Sequence, residues 1–262
     1  MKTEEEFGLI SIIMAAYNAE MTIGKAISSV LSQTYRNFEL LVVDDCSTDR
    51  TDRVIERFQK NDDRIVLIKN HVNCGVSVSR KRGMEEAKGQ WIAVLDSDDA
   101  WVRNKLEKQI AIQKEKNADL IYSGSGFMDH EGKIIHWYLK VPEVISYKCL
   151  LKQNLISNSS VLIRKELYSK YYVENDDIHE DFAEWLNILK NRKKVYGINE
   201  PLLIYRVSRI SRSGNKLKAV KMNWNTYRYV GLSIFSAIYY ECWYIFKGLY
   251  KYWQLKKHGL SR

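Results

Sequence analysis

Four short apolar runs, separated by segments with helical periodicity, occupy the first hundred residues of this chain. The runs span residues 9–14, 38–43, 65–68 and 91–95. Each is nearly continuous in apolar residues, which is typical of strands that are buried on both faces of a parallel sheet. Between the first two runs, the apolar residues within 21–32 recur at the spacing of one helix face. The pattern therefore predicts strands that alternate with helices.

The alternation continues through the first half of the chain. Further helices are predicted at about 49–59, 75–88 and 104–116, and a fifth strand at 119–123. This order indicates an α/β protein with a mainly parallel, doubly wound sheet flanked by helices. The second half is less regular, and it predicts a hairpin over 124–138, a short strand at 161–163 and a helix at 182–189.

The fourth run ends in an acidic segment, Asp96, Ser97, Asp98 and Asp99. A solvated turn is one interpretation, because Asp and Ser are common turn residues. The other is a site for Mg²⁺ or Mn²⁺ shared with substrate phosphates, because hard cations take carboxylate ligands and relieve their mutual repulsion. Ligands of open α/β sheets bind at the carboxyl ends of the strands, which favours the second interpretation.

Polar residues also follow the first two strands. Tyr17 and Asn18 come after the first, and Asp44, Asp45 and Ser47 come at the end of the second. An aromatic ring can stack on a nucleobase while acids beside it accept hydrogen bonds from the base. The alternatives are that Tyr17 is a half-buried core residue and that Asp45 and Ser47 cap a helix. The glycine-rich turn of dinucleotide-binding proteins is absent after the first strand.

The cysteines and the N-terminal residues indicate the cellular compartment of the protein. The four cysteines lie far apart without a C-x-x-C pair, which argues against a structural zinc site and a disulfide framework. The first six residues are acidic and contain no apolar segment of the kind found in signal peptides. A reduced, cytoplasmic location is the expectation.

The basic character of the chain lies almost wholly at its C-terminal end. Residues 201–262 contain 12 Lys and Arg residues against one acid, Glu241, a net charge of +11, so that the remainder carries −2. Residues 230–246 are rich in apolar and aromatic residues, but 17 residues are too few for a spanning helix, which needs about 20. Either a helix in the membrane interface or a helix packed on the preceding domain fits. Nucleic-acid binding is not expected, because no nucleic-acid motif accompanies the charge.

Taken together, the motifs resemble glycosyltransferase family 2, whose members have the GT-A fold. The matching segments are residues 11–18, 29–35, 41–49, 73–80, 95–99 and 179–182, in the family's order and at similar spacing. The resemblance implies a GT-A catalytic domain over 1–206, with a nucleotide-binding half at about 1–100 and an acceptor half at about 101–206. Residues 207–262 would be a helical, basic and aromatic tail that associates with the membrane.

The resemblance also implies roles for individual residues. Tyr17 and Asp44 would contact uracil, Asp98 would be the direct metal ligand, Asp96 would lie near the ribose and the metal, and Asp181 would be the general base. Asp181 and Glu180 have the alternative role of acids at a helix N-terminus. The predicted donor-binding residues are Ala15, Tyr17, Asp44, Arg80, Asp96 and Ser97, with Asp98 and Asp96 for Mg²⁺ or Mn²⁺ and Asp181 for catalysis.

Two of these positions depart from the family's pattern. Ala15 stands where the family usually has proline, and Arg80 lies in Ser79-Arg80-Lys81 where the family often has Ala-Arg-Asn. The first change affects the stiffness of the turn more than its chemistry. The second makes a phosphate-binding role for Arg80 less directly supported by the motif.

The implied activity is inverting transfer of a sugar from a nucleotide-sugar, most often a UDP-sugar. We expect the acceptor to be a glycan on a polyprenyl diphosphate lipid in bacterial polysaccharide assembly, at the inner face of the cell membrane. A transferase acting on the lipopolysaccharide core or another glycolipid is an alternative within the same class. A nucleotide-sugar-binding module without turnover is the alternative from a different class.

Overall fold

The computed structural model describes residues 7–207 and 216–260. Within them, nine strands form one sheet in the order β3-β2-β1-β4-β8-β6-β9-β5, with β7 paired to β6. The strands are β1 (Ile10–Ala16), β2 (Phe38–Asp44), β3 (Ile65–Lys69), β4 (Trp91–Val94), β5 (Ala100–Trp101), β6 (Leu120–Met128), β7 (Ile134–Leu139), β8 (Leu162–Arg164) and β9 (Val195–Arg206).

The first half of the sheet follows the sequence pattern. Strands β1 to β4 are all parallel, and β1 lies between β2 and β4. The register pairs Ala16 with Asp44 and Ile13 with Val94, so the polar residues that follow these strands emerge at the same edge. The predicted alternation of strands and helices is confirmed in this half.

The second half adds antiparallel pairs, of which the sequence pattern predicted only the hairpin. Strand β8 is antiparallel to both β4 and β6, and β6 and β7 form the predicted hairpin. Strand β9 runs parallel to β6 and was not predicted, because Asn199, Glu200 and Pro201 interrupt its apolar residues. The register shifts where Gly124 meets Pro201, which is where a sheet tolerates the missing N–H of a proline.

Helices cover both faces of the sheet, as expected of a doubly wound fold. They are α1 (Ile23–Leu31), α2 (Thr51–Gln59), α3 (Val76–Glu86), α4 (Lys105–Lys116), α5 (Tyr147–Lys152), α6 (Lys165–Tyr171), α7 (Glu180–Lys190), α8 (Lys216–Tyr229) and α9 (Ile234–Lys257). One core packs α1, α2 and α4 against the sheet through Ile27, Ile55 and Leu106. The other joins α3, α6 and α7 to the opposite face and includes Met84 and Trp185.

The C-terminal helices α8 and α9 pack on the second core. Tyr227 is fully buried, and its hydroxyl donates a 2.6 Å hydrogen bond to the carbonyl of Leu151. The Phe182 ring lies 5.9 Å from the rings of both Tyr227 and Tyr244. The packed-helix alternative is therefore correct for one face of the tail. The boundary at 206 stays a prediction; β9 ends at Arg206, and residues 208–215 lie outside the described residues.

The other face of α9 is exposed and apolar. Its exposed large side chains are Ile234, Phe235, Ile238, Tyr239, Ile245, Phe246, Leu249, Tyr250 and Trp253. At 3.6 residues per turn they all fall on one side of the helix, which we call the outer face of α9. Across the described parts of the chain, none of the helices has both the length and the apolar content required to cross a bilayer.

Candidate active site

A cleft of about 650 Å³ lies at the carboxyl ends of β1, β2 and β4, and the N-terminus of α7 and the end of β9 complete it. This volume is within the usual range for small-ligand sites, roughly 300–1,000 Å³. Most of the predicted site residues line it. They are Ala15, Tyr17, Arg80, Asp96, Ser97, Asp98 and Asp181. The fold thus brings residues from both halves of the chain to one surface.

Tyr17 presents its ring at the entrance, where half of its surface is exposed (50%). The adjoining backbone is held in an uncommon conformation, because Asn18 and Cys46 both have positive φ, at 49° and 60°. Hydrogen bonds join the turn after β1 to the turn after β2. The Asn18 amide donates to the Ser47 hydroxyl (3.0 Å), and the Thr48 amide donates to Asn18 Oδ1 (2.8 Å). These bonds offset the strain and fix the position of the tyrosine beside the cleft.

Asp44 and Asp45 differ in what they face. The Asp44 carboxylate accepts hydrogen bonds from the amide and the hydroxyl of Ser47, and Asp44 is not among the residues that line the cleft. Asp45 does line it, and it accepts from the amides of Cys74 (2.9 Å) and Gly75 (2.8 Å). Asp45 therefore ties the end of β2 to the start of α3.

Gly75 is required at this junction for two reasons. Its φ of +88° lies in the region that disfavours side chains, and a Cβ at this position would lie 2.3 Å from Oδ2 of Asp176. The glycine thus lets the backbone amides turn toward Asp45, and α3 begins at the next residue. Arg80 lies on this helix, one turn farther along.

Arg80 is the centre of an ion-pair network that spans the cleft. Its side chain is only 7% exposed, and Nη2 donates to Oδ1 of Asp96 over 2.6 Å. Nη1 donates to Oε1 of Glu180 over 2.9 Å. With the Asn158 amide oriented so that its oxygen faces the guanidinium, Asn158 accepts from the same nitrogen at 3.0 Å. Asp96 and the start of α7 are therefore held by one side chain.

In the acidic segment after β4, the carboxyl groups lie close to one another and are partly or fully buried. Burial, and then the charge of Asp96, raise the pKa of Asp98 to about 6. Burial and the neighbouring Asp98 also raise the pKa of Asp99, whose Oδ1 accepts from the amide of Arg206 at 2.9 Å. Arg206 Nε also donates to the carbonyl of Asp98 (2.9 Å), which anchors this turn to the end of β9. Either a proton or a bound cation would relieve the repulsion within this segment.

Asp181 lies in the first turn of α7, next to Glu180. Burial, and then the charge of Glu180, raise its pKa to about 7, although the positive charge of Arg80 acts in the opposite direction. Its Oδ1 accepts from the amide of Phe182 at 2.7 Å. A carboxylate with a pKa close to neutral is well suited to accept a proton during turnover.

Comparison with known proteins identifies the family of the chain. Residues 11–171 match the family model described as glycosyl transferase family 2. The chain belongs to glycosyltransferase family 2. The match contains every predicted donor-binding and metal-binding residue and ends before Asp181.

Relatives of this glycosyltransferase agree with the assignment. It is 37% identical over 250 residues to Escherichia coli WfgD, named as a UDP-Glc:alpha-D-GlcNAc-diphosphoundecaprenol beta-1,3-glucosyltransferase, with 93% of this chain and 95% of WfgD covered. Its structure resembles that of S. aureus TarS 1–349 in complex with UDP-GlcNAc, with a TM-score of 0.70 at 19% identity over 87% of this chain and 69% of TarS.

A second solved structure extends the likeness of fold. The mannosyltransferase PcManGT from Pyrobaculum calidifontis, in complex with GDP-Man and Mn²⁺, aligns with a TM-score of 0.64 at 14% identity, over 88% of this chain and 69% of PcManGT. The predicted GT-A fold is confirmed.

Several residues of this glycosyltransferase's cleft were not singled out from the sequence. They are Asn158, His130, Tyr205 and Arg206. Asp45 had been considered both as a hydrogen-bond acceptor for a nucleobase and as a helix cap, and Glu180 both as part of the Glu-Asp pair that contains the predicted base and as a helix cap. Glu180 had a sequence signal, since it precedes the predicted base. Asn158 and Arg206 had none, because they lie on a short helical turn and on a strand that the sequence pattern did not predict.

Proposed function

We propose that this glycosyltransferase moves a sugar from a UDP-sugar to a hydroxyl of a lipid-linked glycan, with inversion at the anomeric carbon. The observation that carries the proposal is the Arg80 network, which joins Asp96 on the donor side to the helix that bears Asp181. A donor and an acceptor hydroxyl can both be held within the same cleft. The UDP-GlcNAc bound to TarS and the UDP-Glc in the name of WfgD support a uridine nucleotide.

The base and ribose of the donor would lie against the first two strand ends. Tyr17 offers an exposed ring for stacking on uracil. Asp44 shapes the neighbouring turn through Ser47, and Asp45 is the acid of this pair that faces the cleft. Asp45 already accepts three hydrogen bonds, and a carboxylate has about four acceptor sites, so one remains for the uracil imide. Ala15 and Ser97 complete the wall around the ribose.

The acids after β4 fit a divalent metal ion. Asp96 and Asp98 offer hard oxygen ligands, and Asp98 stands in surroundings that disfavour its charge unless a cation is present. Among the described residues no cluster of three or more His, Cys, Asp or Glu side chains could hold a metal, so the donor diphosphate and water would complete the coordination. When bound, Mg²⁺ or Mn²⁺ would stabilise the charge that develops on the leaving diphosphate. The Mn²⁺ in the PcManGT complex supports this choice.

Asp181 would act as the general base. Its ionised carboxylate takes the proton of the acceptor hydroxyl as the oxygen attacks the anomeric carbon, and the bond to the diphosphate breaks with its electron pair leaving on UDP. A single direct displacement inverts the anomeric configuration. Glu180 is committed to Arg80, which leaves Asp181 as the residue of this pair that is available to the hydroxyl.

The acceptor would be a glycan on a polyprenyl diphosphate, presented at a membrane surface. The name of WfgD supports this acceptor class. The outer face of α9 supplies an apolar surface for the bilayer, and exposed lysines such as Lys256 and Lys257 supply positive charge at its end. A lipopolysaccharide-core or other glycolipid acceptor would use the same surface. A binding module without turnover is less well supported, because it would not need a base of raised pKa.

The test is a donor screen with a matched pair of variants. Purified protein would be incubated with UDP-glucose, UDP-galactose, their N-acetyl forms and dTDP-rhamnose, with a GlcNAc-diphosphoundecaprenol acceptor and Mg²⁺ or Mn²⁺. We expect release of UDP and a new glycolipid with at least one UDP-sugar. Asp181→Asn should lower turnover about 10²-fold or more, whereas Asp177→Asn, an exposed neighbour, should not. UDP binding without turnover above the Asp181→Asn level would favour the binding module instead.

A further inference from the structure

A second cavity of about 280 Å³ lies between the C-terminal helices and the end of the sheet. Helices α8 and α9 form one wall, and the ends of β6 and β9 form the other. Its lining is mainly apolar and aromatic, with Phe127, Val207, Tyr244, Tyr252 and Leu255 among the contributors. The volume is at the small end of ligand pockets, about 300–1,000 Å³, so it suits a segment of a ligand.

The cavity borders both surfaces that the proposed function requires. His179 and Tyr205 line both this cavity and the cleft that contains Asp181. At its other side, Ile245 and Leu249 line the cavity and are also exposed on the outer face of α9. The cavity therefore lies between the outer face of α9 and the edge of the active site.

The cavity wall carries a basic side chain with no anionic partner among the described side chains. Lys251 lines it, and burial alone lowers the pKa of its ammonium group. A buried charge is costly unless an opposite charge compensates it. Glu241 also lines the cavity, but it accepts a hydrogen bond from Asn223, and burial raises its pKa, which favours its uncharged form. By the same argument, the lowered pKa of Lys251 disfavours its charged form, and an anion bound beside it would stabilise that form, so the cavity combines an apolar lining with an amine suited to an anionic group.

We propose that this cavity binds the lipid end of the acceptor, with Lys251 contacting the diphosphate of a polyprenyl diphosphate and the apolar lining enclosing its first isoprene units. This inference rests on the proposed function and assigns the acceptor's lipid a place outside the donor cleft. The attached sugar then reaches Asp181 past His179 and Tyr205. The cavity thereby selects for a charged headgroup on an isoprenoid chain.

Gly248 provides a direct way to fill the cavity. It lies on α9 and lines the cavity, and a Cβ at this position would meet no atom within 4 Å. Gly248→Trp should occupy the space without a backbone clash. Gly248→Ala is the matched control, since it makes the same change in backbone freedom but leaves most of the volume open. Val220→Trp, at the partly exposed rim of the cavity, is a second filling variant in case the first folds poorly.

The test measures binding of farnesyl diphosphate to the full chain by calorimetry, with UDP and Mg²⁺ at saturation so that the donor site is occupied. Farnesol and inorganic diphosphate serve as separate probes for the chain and the charge. We expect farnesyl diphosphate to bind at least tenfold more tightly than either. Gly248→Trp and Val220→Trp should weaken it at least tenfold, and Gly248→Ala less than twofold. Lys251→Met should weaken farnesyl diphosphate at least fivefold and leave farnesol unchanged.

The outcomes separate this inference from the proposed function. Unchanged affinity in both filling variants, or equal affinity for farnesol and farnesyl diphosphate, would overturn the inference. Displacement of farnesyl diphosphate by UDP would also overturn it, since the lipid would then lie in the donor cleft. UDP affinity, measured on the same proteins, reports on the donor site alone. If the wild-type protein did not bind UDP, the proposed function would be contradicted. The binding of farnesyl diphosphate would still test the cavity.

Discussion

Arg80 donates a 2.9 Å hydrogen bond to Glu180, which lies 100 residues farther along the chain and directly before the proposed base. The same guanidinium holds Asp96 at 2.6 Å. Both Arg80 and Glu180 are buried, with side chains 7% and 8% exposed, so the pair is shielded from water and salt. The positions of Asp96 and of α7 are consequently coupled.

Loss of Arg80 should destabilise the fold as well as the site. Arg80→Met leaves the carboxylates of Asp96 and Glu180 without their partner, and removing one member of a buried ion pair costs about 3–5 kcal/mol. Urea unfolding should show this loss. Lys81→Met, on the adjacent residue, breaks an exposed pair with Glu174 and should change the midpoint little. Glu180→Gln added to Arg80→Met should recover part of the stability, and equal midpoints for Arg80→Met and Lys81→Met would contradict the network's role.

Turnover should rise with pH around neutrality. The pKa of Asp181 is raised to about 7, and a general base works only in its ionised form. At saturating metal and substrates, kcat should therefore increase from about pH 6 to about pH 8 with a midpoint near 7. Residual turnover of Asp181→Asn should lack this step. A wild-type profile that is flat or falls over this range would place the base elsewhere.

Asp98 should control metal binding. Asp98→Asn keeps the shape of the side chain but removes the anionic ligand. Mn²⁺ binding in the presence of UDP should therefore weaken by about tenfold or more. Loss of one charge-assisted contact of about 1.4 kcal/mol already gives a tenfold change in affinity. Electron paramagnetic resonance of Mn²⁺ measures this directly. Asp177→Asn is the control for a lost acid outside the cleft. Full transferase activity in excess EDTA would rule out the metal assignment.

The outer face of α9 should bind anionic vesicles. Phe235→Ser and Trp253→Ser remove exposed apolar side chains and should weaken sedimentation with vesicles, whereas Val144→Ser, an exposed apolar residue elsewhere, should not. Lys256→Gln with Lys257→Gln should remove the salt-sensitive part, at about 1 kcal/mol per lysine. Point substitutions are preferable to truncation, because Tyr227 and Ala237 are part of the core. Equal sedimentation of all these proteins would contradict a membrane role for this face.

The sequence alone determined the nucleotide-binding half and the edge at which its functional residues meet. Buried parallel strands appear in sequence as continuous apolar runs, and their carboxyl ends must lie together, so Tyr17, Asp96 and Asp98 were found in one cleft as predicted. Helical spacing located most of the helix that carries Asp181, whereas Arg80 and Asp181 themselves were predicted from the resemblance to the family. These features depend on local periodicity and on the order of elements along the chain.

The tertiary structure decided what local patterns do not encode. Strand β9 forms around a polar, proline-containing segment because β6 offers its hydrogen-bonding edge. Asp44 and Asp45 are adjacent, and because successive side chains point to opposite sides, only the backbone geometry determines that Asp45 lines the cleft. The pairing of Arg80 with Glu180 requires the two halves to be packed together. In the tail, both faces of helix α9 carry apolar and aromatic residues. The face that packs against Phe182 is buried, and the outer face of α9 remains exposed.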